Sequence, residues 1–351
     1  MELVLPKIPH ILSLNKTEMF EILNSIVSKS YRIKQIQDWI YFKKVIDFKQ
    51  MTNIPQDLIV KLEQNFLSYL PEVSDIQISS DKTKKFLIKL FDGEYIEMVL
   101  MPGKKKNTLC ISSQVGCSRK CQFCATAKLG LIRNLKIEEL LMQIMLVYKY
   151  FPDINLTNIV LMGMGEPLDN YENVISFLKI IQDPTAYAFS GRRVTVSTCG
   201  VIPQIMKLAD SGIKVKLAVS LNSAIDFKRS IIMPVNDIYN LSELKKSLFY
   251  FRKKSAFRIT FEYIMIENFN MGNEDIKALV KFCGDISCKI NLIKWNAVKG
   301  LDWKSPSDEQ VLDFINKLSH IPAAITLRNS RGQDINGACG QLAGNCYDNC
   351  K

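Results

Sequence analysis

The sequence predicts an α/β protein whose main body is a complete or partial (β/α) barrel, preceded by a small helical domain and a β-hairpin. Three observations carry this prediction. From about residue 107 onward, strand-like runs alternate with amphipathic helical segments in six or seven units, a pattern that implies a parallel sheet. The residues unusual enough to carry chemistry fall at the carboxyl ends of those runs, where such barrels place their active sites. Before residue 107 the pattern is different, first helical and then a two-armed β segment around Asp92-Gly93. A flat doubly wound sheet is the alternative reading of the same alternation.

In chain order, residues 1–75 read as helical and basic. In YRIKQIQDWIYFKKVIDFKQM, Ile33, Ile36, Trp39, Ile40 and Val45 recur near the helical period with lysines between them. Such a face is either simply solvated or an accessory surface for nucleic acid. KKFLIKLFDGEYIEMVLM is then a hairpin, because Asp-Gly tolerates positive φ between two β-rich arms. Glu97 falls mid-strand in the second arm, between Ile96 and Met98, where an acid ordinarily marks the solvent face. The barrel strands are expected at 109–113, 158–162, 194–197, 215–221, 258–265 and 290–294, with a further one at 324–328. LKIEELLMQIMLVYKYF, NYENVISFLKIIQD and LSELKKSLFYFRKK are helices between them. The expected domains are therefore 1–75 helical, 76–106 hairpin linker, 107–330 barrel and 331–351 C-terminal segment.

Composition narrows the function. The chain has 351 residues, of which 47% are hydrophobic. That suits a globular protein of two domains, at a rough prior of ~150 residues each. A net charge of +11 favours a polyanionic partner, most often nucleic acid. Basic clusters occur at Lys82/Lys84/Lys85, Lys104-Lys105-Lys106, Arg192-Arg193 and Arg252-Lys253-Lys254. The start, MELVLPKIPHILSL, carries no secretory pattern, and the longest apolar run, at 140–148, is too short to span a bilayer. A cytoplasmic location without membrane association follows. There, ten cysteines point to metal binding or catalysis more than to disulfides. With only His10 and His320 present, a His-rich metal site is disfavoured.

The strongest local signal is GCSRKCQFC, which places Cys117, Cys121 and Cys124 as C-x₃-C-x₂-C after the first barrel strand. Structural zinc takes four closed ligands, and iron–sulfur cubes are likewise normally held by four cysteines. Three thiolates on a cube leave one iron open to a substrate or cofactor. A zinc knuckle completed by Cys110 or Cys199 is the alternative. With Phe123 directly before the last cysteine, the triplet resembles the radical S-adenosylmethionine (SAM) superfamily. That resemblance implies a [4Fe-4S] cluster whose open iron is chelated by the amino and carboxylate groups of SAM. Reduction then cleaves SAM to methionine and a 5′-deoxyadenosyl radical.

The resemblance extends over almost the whole chain. TLCISSQVGCSRKCQFCATAKLG, GMGEPLDN, RRVTVSTCGVIP, LAVSLN and RGQDINGACGQLAG are similar to the RlmN group of RNA adenine methyltransferases. The sister group, Cfr, typically has Ala in place of Pro167 and Asp169, so the sequence resembles RlmN. The fold implied is a partial (β/α)6 radical SAM barrel. The activity implied is methylation of carbon 2 of an adenine in the peptidyl-transferase centre of 23S rRNA and of the adenine 3′ of the anticodon in tRNAs. Two SAM molecules serve each turnover. In this scheme Cys339 carries the methyl group, Cys110 resolves the covalent RNA adduct by forming a disulfide with Cys339, and Glu97 accepts the carbon-2 proton. Glu94 is the nearby competitor for the last role.

By the same resemblance Gly165, Glu166, Ser197, Ser220, Leu221, Asn222 and Asn296 contact SAM. Two positions depart from the family pattern. Asn222 stands where His is common, and Ala297 follows Asn296 where Pro is frequent. Cys199, Cys283 and Cys288 have no motif role and read as packing, while Cys346 and Cys350 read as incidental thiols. A flavodoxin or ferredoxin is the expected electron donor, and a monomer the expected state. The rival functions are Cfr-like methylation of carbon 8, a radical SAM enzyme acting on a peptide or small molecule, and a non-catalytic RNA-binding module with a structural metal.

Overall fold

The computed structural model describes residues 8–298 and 301–342, so Cys346 and Cys350 lie outside the described residues. The chain forms two compact units. The first comprises Met1–Glu72 together with Leu135–Asn155 and Glu172–Phe189; the remainder forms the second.

The first unit is helical. It contains α1 (Lys16–Ile26), α2 (Tyr31–Tyr41), α3 (Gln56–Asn65), α4 (Ile137–Tyr150) and all but the first residue of α5 (Tyr171–Gln182). α1 starts with a reciprocal cap: Asn15 Oδ1 accepts from the backbone N–H groups of Thr17 and Glu18, and Glu18 accepts from the Asn15 N–H. α2 buries Ile33, Ile36, Ile40 and Tyr41. Trp39, expected on the same face, instead donates to Asn53 and carries the Lys43 ammonium 3.4 Å above its ring. α4 is buried continuously from Glu139 to Val147, as an apolar helix surrounded by protein must be. Ahead of α1, His10 Nδ1 accepts from the Leu12 N–H, so Nε2 carries the proton and donates to the Tyr69 carbonyl. Burial holds this imidazole down to about 4.

The second unit is built on a ten-stranded sheet. Its strands are β1 (Glu72–Ile78), β2 (Lys84–Lys89), β3 (Tyr95–Met101), β4 (Thr108–Cys110), β7 (Asn158–Leu161), β8 (Val194–Thr198), β9 (Lys216–Ser220), β10 (Ile259–Met265), β11 (Cys288–Lys294) and β12 (Ala324–Arg328), hydrogen-bonded in that order. β5 (Gln114–Gly116) and β6 (Leu131–Asn134) form a separate antiparallel pair. From β4 to β12 neighbouring strands are parallel. In chain order the sheet gives six strand–helix units and a seventh strand, an open (β/α) barrel. The later connections carry α6 (Ile202–Asp210), α7 (Asp226–Ile232), α8 (Val235–Ile238), α9 (Leu241–Lys254), α10 (Asn273–Cys283) and α11 (Asp308–Lys317). Central strands are apolar on both faces, and all seven residues of β10 are buried, as a covered parallel sheet requires.

The hairpin is the antiparallel edge of this same sheet, since β3 pairs with both β2 and β4. Its tip turns at Gly93, with φ of 88°. β1 begins within the stretch expected to be helical. Its sequence, EVSDIQI, has no clean alternation, and four of its seven residues are exposed, so only its ladder on β2 makes it a strand. β5 and β6 are too short for any period to register.

Candidate active site

The triplet sits in the loop of the β5–β6 pair. Gly116 and Gly130 close its neck: the Cys117 N–H donates to the Gly130 carbonyl at 2.7 Å. Gly116 has φ of 73°, and a Cβ there would lie 1.8 Å from the Gly130 oxygen, so only glycine closes this loop. Arg119 forks onto the Asp169 carboxylate through Nε, at 2.6 Å, and Nη2, tying the loop to the segment after β7. Asp169, one of the two positions that separate the resembled groups, thereby acquires a structural task.

Cys117, Cys121 and Cys124 line one cleft together with Gly165, Glu166, Ser197, Ser220 and Asn222. The three thiols are free. Burial pushes Cys117 up to about 12 and Cys121 and Cys124 upward, and the like charges of the triplet add to the effect. Three buried thiolates are therefore costly unless a cationic group shares their charge. No three His, Cys, Asp or Glu side chains among the described residues are arranged for a single metal ion. Three thiols on one loop, each able to take a different iron, are a donor set that suits a cube with one iron left open.

The GMGEP loop is fixed by the strand beside it. Gly163 N–H donates to Ile111 O at 3.0 Å, Met164 N–H to Ser112 Oγ at 2.8 Å, and Glu166 N–H to Gln114 Oε1 at 2.8 Å. Gly165 has φ of 98°, and a Cβ would meet the Gln114 Cβ at 2.5 Å. The Glu166 carboxylate accepts from the Leu168 N–H at 3.1 Å and the Cys199 N–H at 2.8 Å, so it joins the loop to the end of β8. Asn222 adopts φ of 55°, a region asparagine enters more readily than most residues. Its Oδ1 accepts from the Ile264 N–H at 2.9 Å. That is the physical content of one family departure. At the other, the Ala297 carbonyl accepts from Gln341 Nε2 at 3.0 Å. Leu221 is fully buried and does not line the cleft.

Cys339 is brought to the cleft by a segment that threads between loops. Ala125 N–H donates to Gly340 O at 2.7 Å and Thr126 Oγ1 to Leu342 O at 3.0 Å. Asn296 Nδ2 donates to the Cys339 carbonyl at 3.2 Å, while its Oδ1 accepts from Gln333. Asn296 thus touches the Cys339 backbone rather than the cleft wall. Asp334 anchors the same segment on the turn after β1, accepting from Ser79 Oγ at 2.6 Å and the Ser80 N–H at 3.0 Å. Cys339 lines the main cleft and also a second, smaller cavity, whose wall includes Cys110, Val99, Met101, Met162 and Arg328.

Glu97 lines neither cavity. It lies on the face of β3 that also carries Val99 and Met101, and forms an ion pair with Lys85 at 3.2 Å, both side chains only 3% exposed. The expectation that an acid here marks the solvent face fails, because Lys85, diagonal to it on β2, provides a buried cation. Sequence reasoning also passed over Glu262 and Arg328, which line the main cleft. Both carried a signal: Glu262 is an acid within the largely apolar run ITFEYIM, and Arg328 ends a barrel strand at the carboxyl face.

Comparison with known proteins agrees with this construction. Residues 111–283 match the Radical SAM superfamily, and residues 10–67 match the ribosomal RNA large subunit methyltransferase N-terminal domain. A solved structure of a radical SAM methyltransferase from Sphaerobacter thermophilus superposes with a TM-score of 0.91 at 35% identity, covering 95% of this chain and 99% of that one. The open parallel barrel and its three-cysteine loop therefore define a radical SAM methyltransferase that uses a [4Fe-4S] cluster and SAM. A protein of Clostridium botulinum (strain Alaska E43 / Type E3) named as a dual-specificity RNA methyltransferase RlmN is 45% identical over 314 residues, 89% of this chain and 90% of its own. A Dictyoglomus turgidum protein of the same name is 41% identical over 336 residues, 95% and 96% of the two chains. The chain belongs to the RlmN family of RNA methyltransferases. No helix among its described residues is long and apolar enough to cross a membrane.

Proposed function

We propose that this enzyme methylates carbon 2 of an adenine in the peptidyl-transferase centre of 23S rRNA and of the adenine 3′ of the anticodon in tRNAs, with Cys339 as methyl carrier. One observation carries the reading: Cys339 lines both the cysteine-loop cleft and the cavity that Cys110 lines. A thiol so placed can exchange with both. Cys117, Cys121 and Cys124 would hold the cluster, and Gly165, Glu166, Ser197, Ser220 and Asn222 would bound the SAM site, with Leu221 behind it and Asn296 setting the Cys339 backbone. The chemistry demands such a carrier. Carbon 2 of adenine is electron-poor and cannot attack a sulfonium methyl as an oxygen or nitrogen nucleophile does. Bound there, the reduced cluster and SAM supply a carbon radical able to take a hydrogen atom from a methyl group.

The chain's own residues do the rest. Cys339 Sγ holds the methyl group and, after it has joined carbon 2, tethers the RNA. Glu97, two residues from Val99 on one face of β3, accepts the carbon-2 proton once RNA draws it from Lys85. Once the adduct has lost its unpaired electron, which the cluster would accept, the Cys110 thiolate bonds to Cys339 Sγ, the sulfur–carbon bond breaks, and its electron pair stays with the methylated base, which takes a proton. A reductant returns the disulfide to two thiols. The net charge of +11 supports binding to RNA phosphates, which weakens as salt rises. The adenine must leave its stack to reach Cys339. A small flavodoxin or ferredoxin delivers electrons to a monomeric enzyme.

The test is anaerobic reconstitution with SAM, reductant and protein-free rRNA, followed by mass spectrometry of digested nucleosides. The reading predicts 2-methyladenosine. Recovery of 8-methyladenosine would move the activity to that of the sister group, and no modified adenosine under conditions that cleave SAM would overturn the RNA reading.

A further inference from the structure

Arg328, the last residue of β12, is a charged group that the reaction outlined above does not use. It lines both cavities. In the smaller cavity its neighbours include Val99, Met101, Met162, Ile293 and Leu342, an apolar wall. Its carboxylate neighbour is Glu262 on β10, with Oε2 3.9 Å from Arg328 Nη1. Glu262 is itself set by Asn291, its register partner on β11, whose Nδ2 donates to Oε1 at 3.0 Å. Glu262 Oε2 is buried and has no hydrogen-bond partner. The two side chains are thus close enough to attract but not hydrogen-bonded, and the bond Arg328 Nη1 does donate, to Met162 Sδ at 3.8 Å, goes to a weak acceptor, so the guanidinium can still act on other anions. The groups across the cavity that can become anions are Cys110 and Cys339.

We propose that Arg328, braced by Glu262, is a positioning residue that stabilises the Cys110 thiolate and aligns it on the Cys339 sulfur. This rests on the reading of Cys110 as the resolving thiol. Resolution needs a thiolate, since the thiol is a poor nucleophile. Cys110 sits in an unfavourable place for one. Burial, with a negative Cys339 adding to it, pushes it up to about 12, opposed by the Arg328 charge and by a hydrogen bond with the Met162 backbone. The reciprocal effect falls on Arg328, raised first by Cys339, with Glu262 and Cys110 adding. Other charged groups are few. Arg331 also lines the smaller cavity, with its Nη1 donating to the Pro102 carbonyl; the partners of Cys110 in the sheet, Val99 and Val160, are apolar. A permanently charged planar fork suits two sulfurs better than a lysine would.

The test uses the full chain with its cluster, held anaerobically and treated with iodoacetamide between pH 6 and 10, with alkylation at Cys110 quantified by peptide mass spectrometry. This range lies below the Cys110 value of about 12, so the rate rises steadily with pH, and Arg328→Gln should slow Cys110 alkylation about tenfold throughout it. Arg328→Lys should restore most of the rate. An unchanged profile in folded Arg328→Gln protein overturns the proposal. If that variant does not fold, Glu262→Gln gives the opposite reading. Removing the carboxylate leaves the Arg328 charge undivided and speeds Cys110 alkylation severalfold, and an equal or slower rate overturns the proposal. RNA methylation by Cys339→Ala separates the two levels. If that variant is inactive while the Arg328→Gln profile is unaltered, this inference fails and the methyl-carrier reading stands. If it still methylates RNA, the methyl-carrier reading fails whatever Arg328 does.

Discussion

Arg229 offers the sharpest structural test, because a fully buried cation without a carboxylate partner is a rare and costly object. It lies on α7 with no exposed surface. Nε donates to Leu221 O at 3.2 Å, Nη1 to Asn236 Oδ1 at 3.0 Å, and Nη2 to Cys199 O at 2.6 Å and Ser220 O at 3.2 Å. The side chain therefore ties the carboxyl ends of β8 and β9 together directly beneath the cleft. Arg229→Met preserves much of the volume and removes every donor. Four hydrogen bonds from a charged group, at about 1.5–3 kcal/mol each, amount to roughly 6–12 kcal/mol gross. Relief from burying the charge offsets several kcal/mol, leaving a net loss on the order of 3–5 kcal/mol. With m of about 3 kcal/mol/M, the urea midpoint of the barrel unit should fall by roughly 1–1.7 M. SAM should also bind at least tenfold more weakly by calorimetry, because Cys199 and Ser220 line the cleft. A midpoint within about 0.3 M of the parent, with unchanged SAM affinity, would refute the idea that this guanidinium fixes the strand ends.

Other predictions follow from the same geometry. Lys85→Met leaves Glu97 a buried carboxylate without its cation and should cost about 3–5 kcal/mol in urea unfolding; a neutral result would mean that the pair is dispensable. Gly165→Ala places a Cβ against Gln114 at positive φ, so it should lose about 1–3 kcal/mol and bind SAM about tenfold more weakly, measured by calorimetry on the reconstituted protein. The helical unit should be acid-sensitive through His10. Its folded value of about 4 lies below the unfolded 6.5, so the unfolded chain binds more protons between those limits. The stabilisation is complete above pH 6.5 and is lost as pH falls to 4, by up to about 3 kcal/mol. Hydrogen exchange over residues 10–69 should record that loss, and His10→Gln should flatten it.

How far the fold could be read from the sequence depended on whether a segment's period outlasted its ends. The strands ending in Ser220 and Arg328 were legible because β-rich runs of five residues alternate with amphipathic helical segments. β1 was not, because it alternates poorly and is a strand only by its pairing with β2. At the site, the cysteine loop and Cys339 were legible because spacing and motif carry them in one dimension. What escaped was created by the third. Lys85 meets Glu97 only across the hairpin, Arg119 meets Asp169 across 50 residues, and Asn296 reaches the Cys339 carbonyl across 43. Glu97 itself shows the limit from the other side. Its place in the strand was evident, but its burial against a lysine could not be inferred from alternation, which reads such an acid as solvent-facing.

The methyl-carrying role of Cys339 is tested most directly by comparing the parent enzyme with Cys339→Ala, both purified anaerobically with intact iron and sulfide, supplied with SAM, reductant and rRNA. Nucleoside mass spectrometry and methionine release are then read from one reaction. The expected result is that the variant still cleaves SAM to methionine but yields no methylated adenosine. Methylated adenosine at parental levels from the variant would contradict it.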